Sequence, residues 1–204
     1  MAVSQILSNV DFSLTYHNTA HVIVLADVFE QRCIIYGHNV NHNNLATFGG
    51  FADAGETLEQ TLCREFHEET LDAICNGVTL KAMLKDPNCT TIVYRQVPGR
   101  GGVISYRFSF YVDLSSYRNF HGETPLNFED CEHSFLGTLN QKGEFLKEEE
   151  KENDHLVAVP LSEIRNKIYS LPEDAVRVVD IKRKEYLLRG VTIPTLKFYL
   201  ESLN

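Results

Sequence analysis

The stretch GGFADAGETLEQTLCREFHEET, residues 49–70, restricts what this chain can fold into more than any other part of the sequence. It combines two adjacent glycines, a third glycine at a predicted turn, and a run of glutamates on a predicted helix. Crowded carboxylates repel one another, and partial burial raises their pKa values further. Because a hard divalent cation with oxygen ligands removes this penalty, the stretch predicts a metal site at the edge of a core.

The start of the predicted helix is marked by Thr57 and Gln60, which have the spacing of a capping box. The helix is expected to run from about Thr57 to Thr70. Arg64 lies within reach of the acidic face and is expected to pair with Glu56, which would hold the preceding loop against the helix.

The apolar stripe of this helix shows where its acids point. Leu58 is the first of three apolar residues at i, i+4 and i+8. At about 100° per residue, Glu65 and Glu69 lie about 20° to either side of Leu58, and Glu68 lies about 80° away. These glutamates are therefore expected at the border of the core.

The spacing resembles the Nudix box, in which a glycine is followed at fixed intervals by a glutamate and then by R-E-U-x-E-E-x-G-U, where U is a bulky apolar residue. Seven positions match: Gly50, Glu56, Arg64, Glu65, Phe66, Glu68 and Glu69. The final glycine and apolar residue of the box are Leu71 and Asp72 here. Because that glycine usually ends the helix in a left-handed conformation, we expect a different exit, such as a longer helix through LDAIC.

The resemblance implies a fold and an activity. The fold is α/β, a Nudix-like α/β/α sandwich with a mixed β-sheet. The activity is hydrolysis of the pyrophosphate bond of a nucleoside diphosphate linked to another moiety, X, with Mg²⁺ or Mn²⁺ as cofactor. An ADP-ribose-like or dinucleotide substrate is favoured; removal of nucleoside triphosphates and RNA-cap removal are further options. Many relatives form homodimers whose partner chain completes the site.

The resemblance also assigns roles to residues. The implied metal ligands are Glu65, Glu69, Glu68 and a backbone carbonyl at Gly49 or Gly50. Glu56 and Arg64 correspond to a structural pair. The general base of many members lies outside the box on a late loop, and Glu152 and Asp154 are the candidates here. For either one, a solvated surface charge is the alternative.

Residues that contact substrate are predicted more loosely. Glycines at 49 and 50 let backbone approach a ligand. Arg107, on the polar face of a predicted strand, is a candidate for phosphate binding. Three aromatic residues are candidates for stacking on a ring of the substrate, with ordinary sheet packing as the alternative: Phe48, Tyr94 and Tyr106.

The rest of the chain predicts strands interrupted by helices, as in a mixed sheet covered by helices. Strands are expected at 21–28, 32–38, 77–86, 90–97 and 103–114, followed by a late strand that ends at Pro160. Helices are expected after Pro160, with Ser162 as cap, and near the end, where Thr192 caps and Pro194 opens the last helix. Residues 1–204 are interpreted as a single domain, in which 115–154 form a long loop or insert that holds a helical or disordered piece.

Composition restricts partners and location. The net charge of −9 argues against binding of long nucleic acids and is compatible with a small nucleotide-derived substrate. The five cysteines are odd in number and lack a CxxC spacing, so we expect reduced thiols and no zinc site. The N-terminus lacks a secretory pattern and no apolar run is long enough to span a bilayer, so a cytoplasmic protein without membrane contact is expected.

The main alternative to an enzyme is a Nudix-fold binding module that holds a nucleotide as a sensor without turnover. Its support is the departure at Leu71 and Asp72. Retention of Glu65, Glu68 and Glu69 argues against it, because a retired site commonly loses a ligand.

Overall fold

One mixed β-sheet organises the protein. The computed structural model describes residues 3–15, 18–98, 104–142, 152–169, 175–189 and 192–203. Within these ranges the strands are β1 Val3–Leu7, β2 Thr19–Val28, β3 Gln31–Asn39, β4 Asn44–Ala46, β5 Phe48–Phe51, β6 Thr90–Pro98, β7 Ile104–Asp113, β8 Asn153–Pro160, β9 Ala175–Val179 and β10 Glu185–Arg189. The neighbours across the sheet are β1-β6-β7-β2-β3-β4-β10-β9; in addition β5 pairs with β2 and β8 with β3.

Most neighbouring strands are antiparallel. The exceptions are β2 with β7, which form a parallel pair over seven positions, and the short contact of β4 with β10. β2 contacts β5 at one end and β3 at the other. This arrangement places β5 and the start of β8 beside the two central strands, where the candidate site lies.

Helices cover both faces of the sheet. The helices are α1 Leu58–Thr70, α2 Gly77–Lys85, α3 Leu114–Phe120, α4 Phe128–Lys142, α5 Leu161–Ile168 and α6 Ile193–Ser202. One core cluster contains apolar side chains of α1 to α4, and a second contains those of α5 and α6. The predicted fold class, a mixed sheet between helical layers, is confirmed.

α1 begins where its sequence predicts. Thr57 is the N-cap, its side chain accepts a hydrogen bond from Gln60 N, and Gln60 Oε1 accepts one from Thr57 N. Leu58, Leu62 and Phe66 are buried in the first core cluster. Burial of this stripe fixes the rotation of α1 and so decides where its glutamates point.

One predicted strand is wrong. Residues 77–86 contain α2, and Asn76 is its N-cap, with Oδ1 accepting a hydrogen bond from Thr79 N. The buried residues Leu80, Met83 and Leu84 have the i, i+3, i+4 spacing of a helix facing a core. The strands predicted at 21–28, 32–38 and 90–97 are confirmed as β2, β3 and β6, and the one at 103–114 as β7 within the described residues.

One predicted cap is also wrong, and another is confirmed in position only. Pro160 is the N-cap of α5, without a side-chain hydrogen bond, so Ser162 does not cap that helix. Thr192 occupies the N-cap of α6, but its side chain makes no capping hydrogen bond. The segment 115–154 holds most of α3, all of α4 and the start of β8, whereas most of its charge run lies in 143–151, outside the described residues. The single-domain interpretation stays a prediction.

All five cysteines are free thiols. Four are buried, and Cys63 is half-buried. Across the described ranges, no helix has both the length and the apolar character needed to cross a membrane.

Candidate metal-binding active site

β5 brings a glycine into close contact with β2 and α1. Gly49 has a φ of 147°, and a Cβ at this position would lie 2.2 Å from the carbonyl oxygen of Ala20, so only glycine fits. The Gly49 N–H donates a hydrogen bond of 2.5 Å to Glu69 Oε2. β5 therefore holds the carboxyl group of Glu69 against its own backbone.

The next glycine makes room for a second carboxylate. A Cβ on Gly50 would lie 2.6 Å from Glu65 Oε1 and 2.7 Å from Glu65 Oε2, closer than real side-chain contacts. The carboxylate of Glu65 thus occupies the space that a side chain at position 50 would fill. The two glycines of the motif position two different glutamates of α1.

Arg64 connects the acidic residues of α1 with the preceding loop. Its Nε and Nη2 donate hydrogen bonds to the two carboxylate oxygens of Glu56, at 2.9 and 3.0 Å. Its Nη1 lies 2.8 Å from Glu65 Oε1 and 3.3 Å from Glu68 Oε2, and Nη2 also donates to Phe51 O. The guanidinium lowers the pKa of Glu56 to about 2. This is the pairing expected for a loop clamped to a helix.

α1 ends at Thr70 in spite of the missing glycine. Leu71 has φ 52° and ψ 34°, a left-handed conformation, and its N–H donates to His67 O. Asp72 also has a positive φ, of 58°, and pairs with His67 at 2.9 Å. The expected longer helix through LDAIC is wrong, because Leu71 adopts the backbone conformation that glycine adopts with less strain.

The glutamates of α1 differ in burial. Glu69 is only 6% exposed, and the side chains of Glu65 and Glu68 are 14% and 57% exposed. Burial raises the pKa of Glu69 well above its ordinary value; the hydrogen bond from Gly49 opposes this shift, and the charges of Glu152 and Glu65 add to it. Burial also raises the pKa of Glu65, against the lowering effect of Arg64. Both groups are thus carboxyls that a bound cation would stabilise in ionised form.

The two candidate bases lie in different surroundings. Glu152, just before β8, is within hydrogen-bonding reach of the Glu69 carboxyl and its charge also acts on Glu65. Asp154 contacts His38 and His155 instead. Between them, Asn153 is buried and its Nδ2 donates to Glu69 O at 3.3 Å. The structure therefore brings Glu152 to the acids of α1 and places Asp154 in a separate cluster.

The donor set at α1 fits a hard cation. It consists of carboxylate oxygens, which Mg²⁺ and Mn²⁺ prefer, and the carboxylate of Glu65 fills the space beside Gly50. Within the described residues, the one group of three ligating side chains with atoms all within 4.8 Å of one another is His38, Asp154 and His155, so the carboxylates of α1 do not form such a group. Mg²⁺ usually keeps several waters and needs only one or two protein carboxylates.

All three aromatic residues predicted to contact substrate are packed against other rings. Phe48 is fully buried and meets Phe66 edge-on, with ring centroids 5.5 Å apart. Its ring is a core element, so the expected stacking on a substrate is wrong for this residue. Tyr106 is half-buried and stacks on Tyr94 at 6.3 Å beside β1.

Arg107 lies on the other face of the sheet. It lines a cleft beneath the start of α6, together with Arg95 and Tyr111. Tyr111 belongs to the core cluster of α5 and α6, whereas the glutamates project from α1 on the opposite face. The structure therefore does not bring Arg107 together with Glu65 and Glu69.

Two features of the site were not predicted from the sequence. One is Asn153, which links the start of β8 to the end of α1. The other is the cluster of His38, Asp154 and His155. The adjacent acid and histidine at 154–155 could have suggested a metal-ligating pair. Their third partner, His38, lies more than a hundred residues away and is brought to them by strand pairing.

No protein-family model matches the sequence, and no curated protein matches it significantly. Solved structures of Nudix proteins are among those that the chain resembles. The NUDIX domain of Shewanella oneidensis NrtR complexed with ADP-ribose is 13% identical, with a TM-score of 0.44 over 91% of this chain and 87% of that chain. S. oneidensis NrtR complexed with a 27mer DNA is 15% identical, with a TM-score of 0.44 over 91% and 61%. A C. elegans Ap4A hydrolase is 15% identical, with a TM-score of 0.33 over 47% of this chain; the chain spans just under two thirds of that protein, 66%.

Proposed function

We propose that the protein hydrolyses the pyrophosphate bond of a nucleoside diphosphate linked to another moiety, using Mg²⁺ or Mn²⁺ at the acidic end of α1. The observation that carries the proposal is the environment of Glu69. Its carboxyl group is buried, is held by the Gly49 N–H, and lies beside Glu65 and Glu152. A buried group with acidic neighbours is costly without a cation, and the residues around it match the Nudix box.

Each residue has a role that its position supports. A bound metal would neutralise the pyrophosphate and lower the pKa of water. Glu65 and Glu69 would hold the ion, with Glu68 at the exposed rim. Glu152 would accept the proton of the attacking water, since it lies beside both of these carboxyls. Arg64 would keep Glu65 in place through its hydrogen bond of 2.8 Å.

Within this activity, we propose an ADP-ribose-like or dinucleotide substrate. A net charge of −9 favours a small nucleotide over a long nucleic acid. A homodimer and a cytoplasmic location remain expectations from the sequence.

The alternative is a binding module without turnover. Its main support was the replacement of the terminal glycine of the motif. That support is weakened by Leu71, since the left-handed conformation at this position gives the helix exit that glycine would give.

Substrate screening separates the two functions. Wild-type protein with Mg²⁺ or Mn²⁺ is incubated with a panel of dinucleotides, nucleotide sugars and nucleoside triphosphates, and the products are identified by mass spectrometry. We expect turnover in the wild type and a loss of about 10²-fold or more in Glu69→Gln, with an unfolding transition in EDTA close to that of the wild type. Tight binding of one compound without turnover would establish the module, and equal turnover in both proteins would exclude the proposed site.

A pair of glycine variants tests the placement of Glu65. Gly50→Ala puts a Cβ into the space of the Glu65 carboxylate and should abolish most activity, whereas a Cβ on Gly77 meets nothing within 4 Å, so Gly77→Ala should retain it. Similar activity in both variants would show that this contact does not matter for catalysis.

A further inference from the structure

Three ligating side chains meet at the start of β8, apart from the acids of α1. Asp154 Oδ1 lies 2.9 Å from His38 Nδ1 and is also in contact with His155 Nδ1. The side chains of His38, His155 and Asp154 are 14%, 26% and 46% exposed. The two imidazole rings stack with centroids 4.7 Å apart. Two ring nitrogens thus converge on one carboxylate at a partly sheltered position.

A β-bulge produces this convergence. Asn39 pairs with Asn153 and Gly37 with Leu156, so His38 on β3 faces both Asp154 and His155 on β8. Consecutive residues of a regular strand point to opposite faces, and the extra residue of a bulge re-aims a side chain. The bulge lets both side chains reach His38.

The outer nitrogens of both rings have oxygen partners. His38 Nε2 lies 3.2 Å from Asn43 Oδ1, and His155 Nε2 lies 3.0 Å from the hydroxyl of Tyr186. When each Nε2–H donates to its oxygen, each Nδ1 presents a lone pair toward Asp154. In that tautomeric state a cation between the rings and the carboxylate would take up both lone pairs, and an oxygen acceptor behind each ring is the usual support of a metal-ligating histidine.

We propose that His38, Asp154 and His155 form a second metal site, which binds a first-row transition ion, with Zn²⁺ the best suited. Two imidazoles and one carboxylate are a common three-ligand set for Zn²⁺, and water or another ligand would fill the fourth position. Imidazole distinguishes this site from the all-oxygen site at α1, because Mg²⁺ disfavours nitrogen ligands.

The geometry is close to what Zn²⁺ requires. Ligand atoms about 2.0–2.1 Å from a tetrahedral ion lie about 3.3 Å from one another. The Asp154–His38 separation is 2.9 Å, the Asp154–His155 contact is closer still, and all three ligand atoms lie within 4.8 Å, so side-chain rotations that widen these two contacts would complete the site.

The position of the site gives the ion a role. Asn153 and Glu152 directly precede Asp154, and they contact the end of α1 and the carboxyl of Glu69. An ion bound to both β3 and β8 would fix the start of β8, and with it Glu152.

Metal binding by the full chain tests the second site. EDTA-treated protein is dialysed against Zn²⁺, bound metal is measured by mass spectrometry, and the Co²⁺-loaded protein is examined by visible absorption. We expect one tightly bound Zn²⁺ in the wild type and affinity reduced by more than about 100-fold in His155→Ala and Asp154→Asn. The exposed His133 supplies the matched control, and His133→Ala should bind as the wild type does.

Two further readouts separate this site from other metal-binding groups. Glu69→Gln should keep its Zn²⁺, which distinguishes failure of this inference from failure of the proposed activity. The Co²⁺ spectrum should lack a thiolate charge-transfer band, which excludes the cysteines. Circular dichroism checks that Asp154→Asn remains folded. Absence of Zn²⁺ from the wild type, or equal Zn²⁺ affinity in the wild type and in folded Asp154→Asn, would overturn the inference.

Discussion

At the scale of single residues, Arg64 shows how one guanidinium joins the acidic side chains of α1 to the loop before it. Arg64 binds both oxygens of Glu56 and reaches Glu65 with a third hydrogen bond. A bidentate pair is stronger than an ordinary surface ion pair, and the side chain of Glu56 is only 13% exposed. The sequence predicted this pair from the spacing of the motif. It did not predict the burial of Phe48, because that depends on the ring of Phe66 across the core.

The Glu56–Arg64 pair predicts a pH-dependent stability. Glu56→Gln should lower the free energy of unfolding by about 1–2 kcal/mol at neutral pH, because it removes charge-assisted hydrogen bonds that are partly screened by solvent. The pKa of Glu56 is lowered from 4.5 to about 2 in the folded protein. The stabilisation is therefore present above pH 4.5 and is lost as the pH falls toward 2.

Urea unfolding of wild type and Glu56→Gln across this pH range measures the difference. Asp53→Asn is the matched control, since Asp53 is 80% exposed and lies 3.7 Å from Arg64; its effect should stay below about 0.5 kcal/mol. A difference between wild type and Glu56→Gln that is the same at every pH would contradict the prediction.

At the scale of elements, the residues at helix ends determined the secondary structure more than the alternation of apolar residues did. The segment 77–86 was interpreted as a strand, although Asn76 supplies a helix N-cap and the buried residues have helical spacing. The exit of α1 was expected to change with Leu71, yet the backbone turns there as it would for glycine. Tertiary packing accounts for this, since Leu71 is half-buried against the core of α1 and the apolar contact offsets backbone strain.

The left-handed backbone at Leu71 predicts that glycine is more stabilising than alanine at this position, the reverse of their order within a helix. Leu71→Ala and Leu71→Gly both lose the apolar contact, but only glycine relieves the left-handed strain, so Leu71→Gly should be more stable than Leu71→Ala by about 1 kcal/mol. Lys81, exposed in the middle of α2, is the control: there glycine should be less stable than alanine by about 1 kcal/mol. Thermal or urea unfolding of the four variants measures both differences. The same order of stability at both positions would show that Leu71 carries no strain.

At the scale of the whole molecule, the candidate site combines segments far apart in sequence. Glycines of β5 and glutamates of α1 belong to one motif, so the sequence predicted them together. Glu152 was predicted only as one of two candidates, because its position depends on the pairing of β3 with β8 and on the link from Asn153 to the end of α1. The bulge that brings Asp154 and His155 opposite His38 depends on register, which no local pattern of the sequence specifies.

This assembly predicts that a cation stabilises the whole fold. An ion that binds the folded protein alone, at 100 times its dissociation constant, contributes about 2.7 kcal/mol, which for a chain of this size raises Tm by about 5–10 °C. We expect such a shift with Mn²⁺ and its loss in Glu65→Gln and Glu69→Gln. The reference protein and both variants also carry Asp154→Asn, which removes the histidine cluster as a binding site for Mn²⁺. Thermal unfolding with Mn²⁺ and with EDTA measures the shift. An equal shift with and without the carboxylates of α1 would mean that Mn²⁺ binds elsewhere, and the acidic residues would then lack the cation that their burial requires.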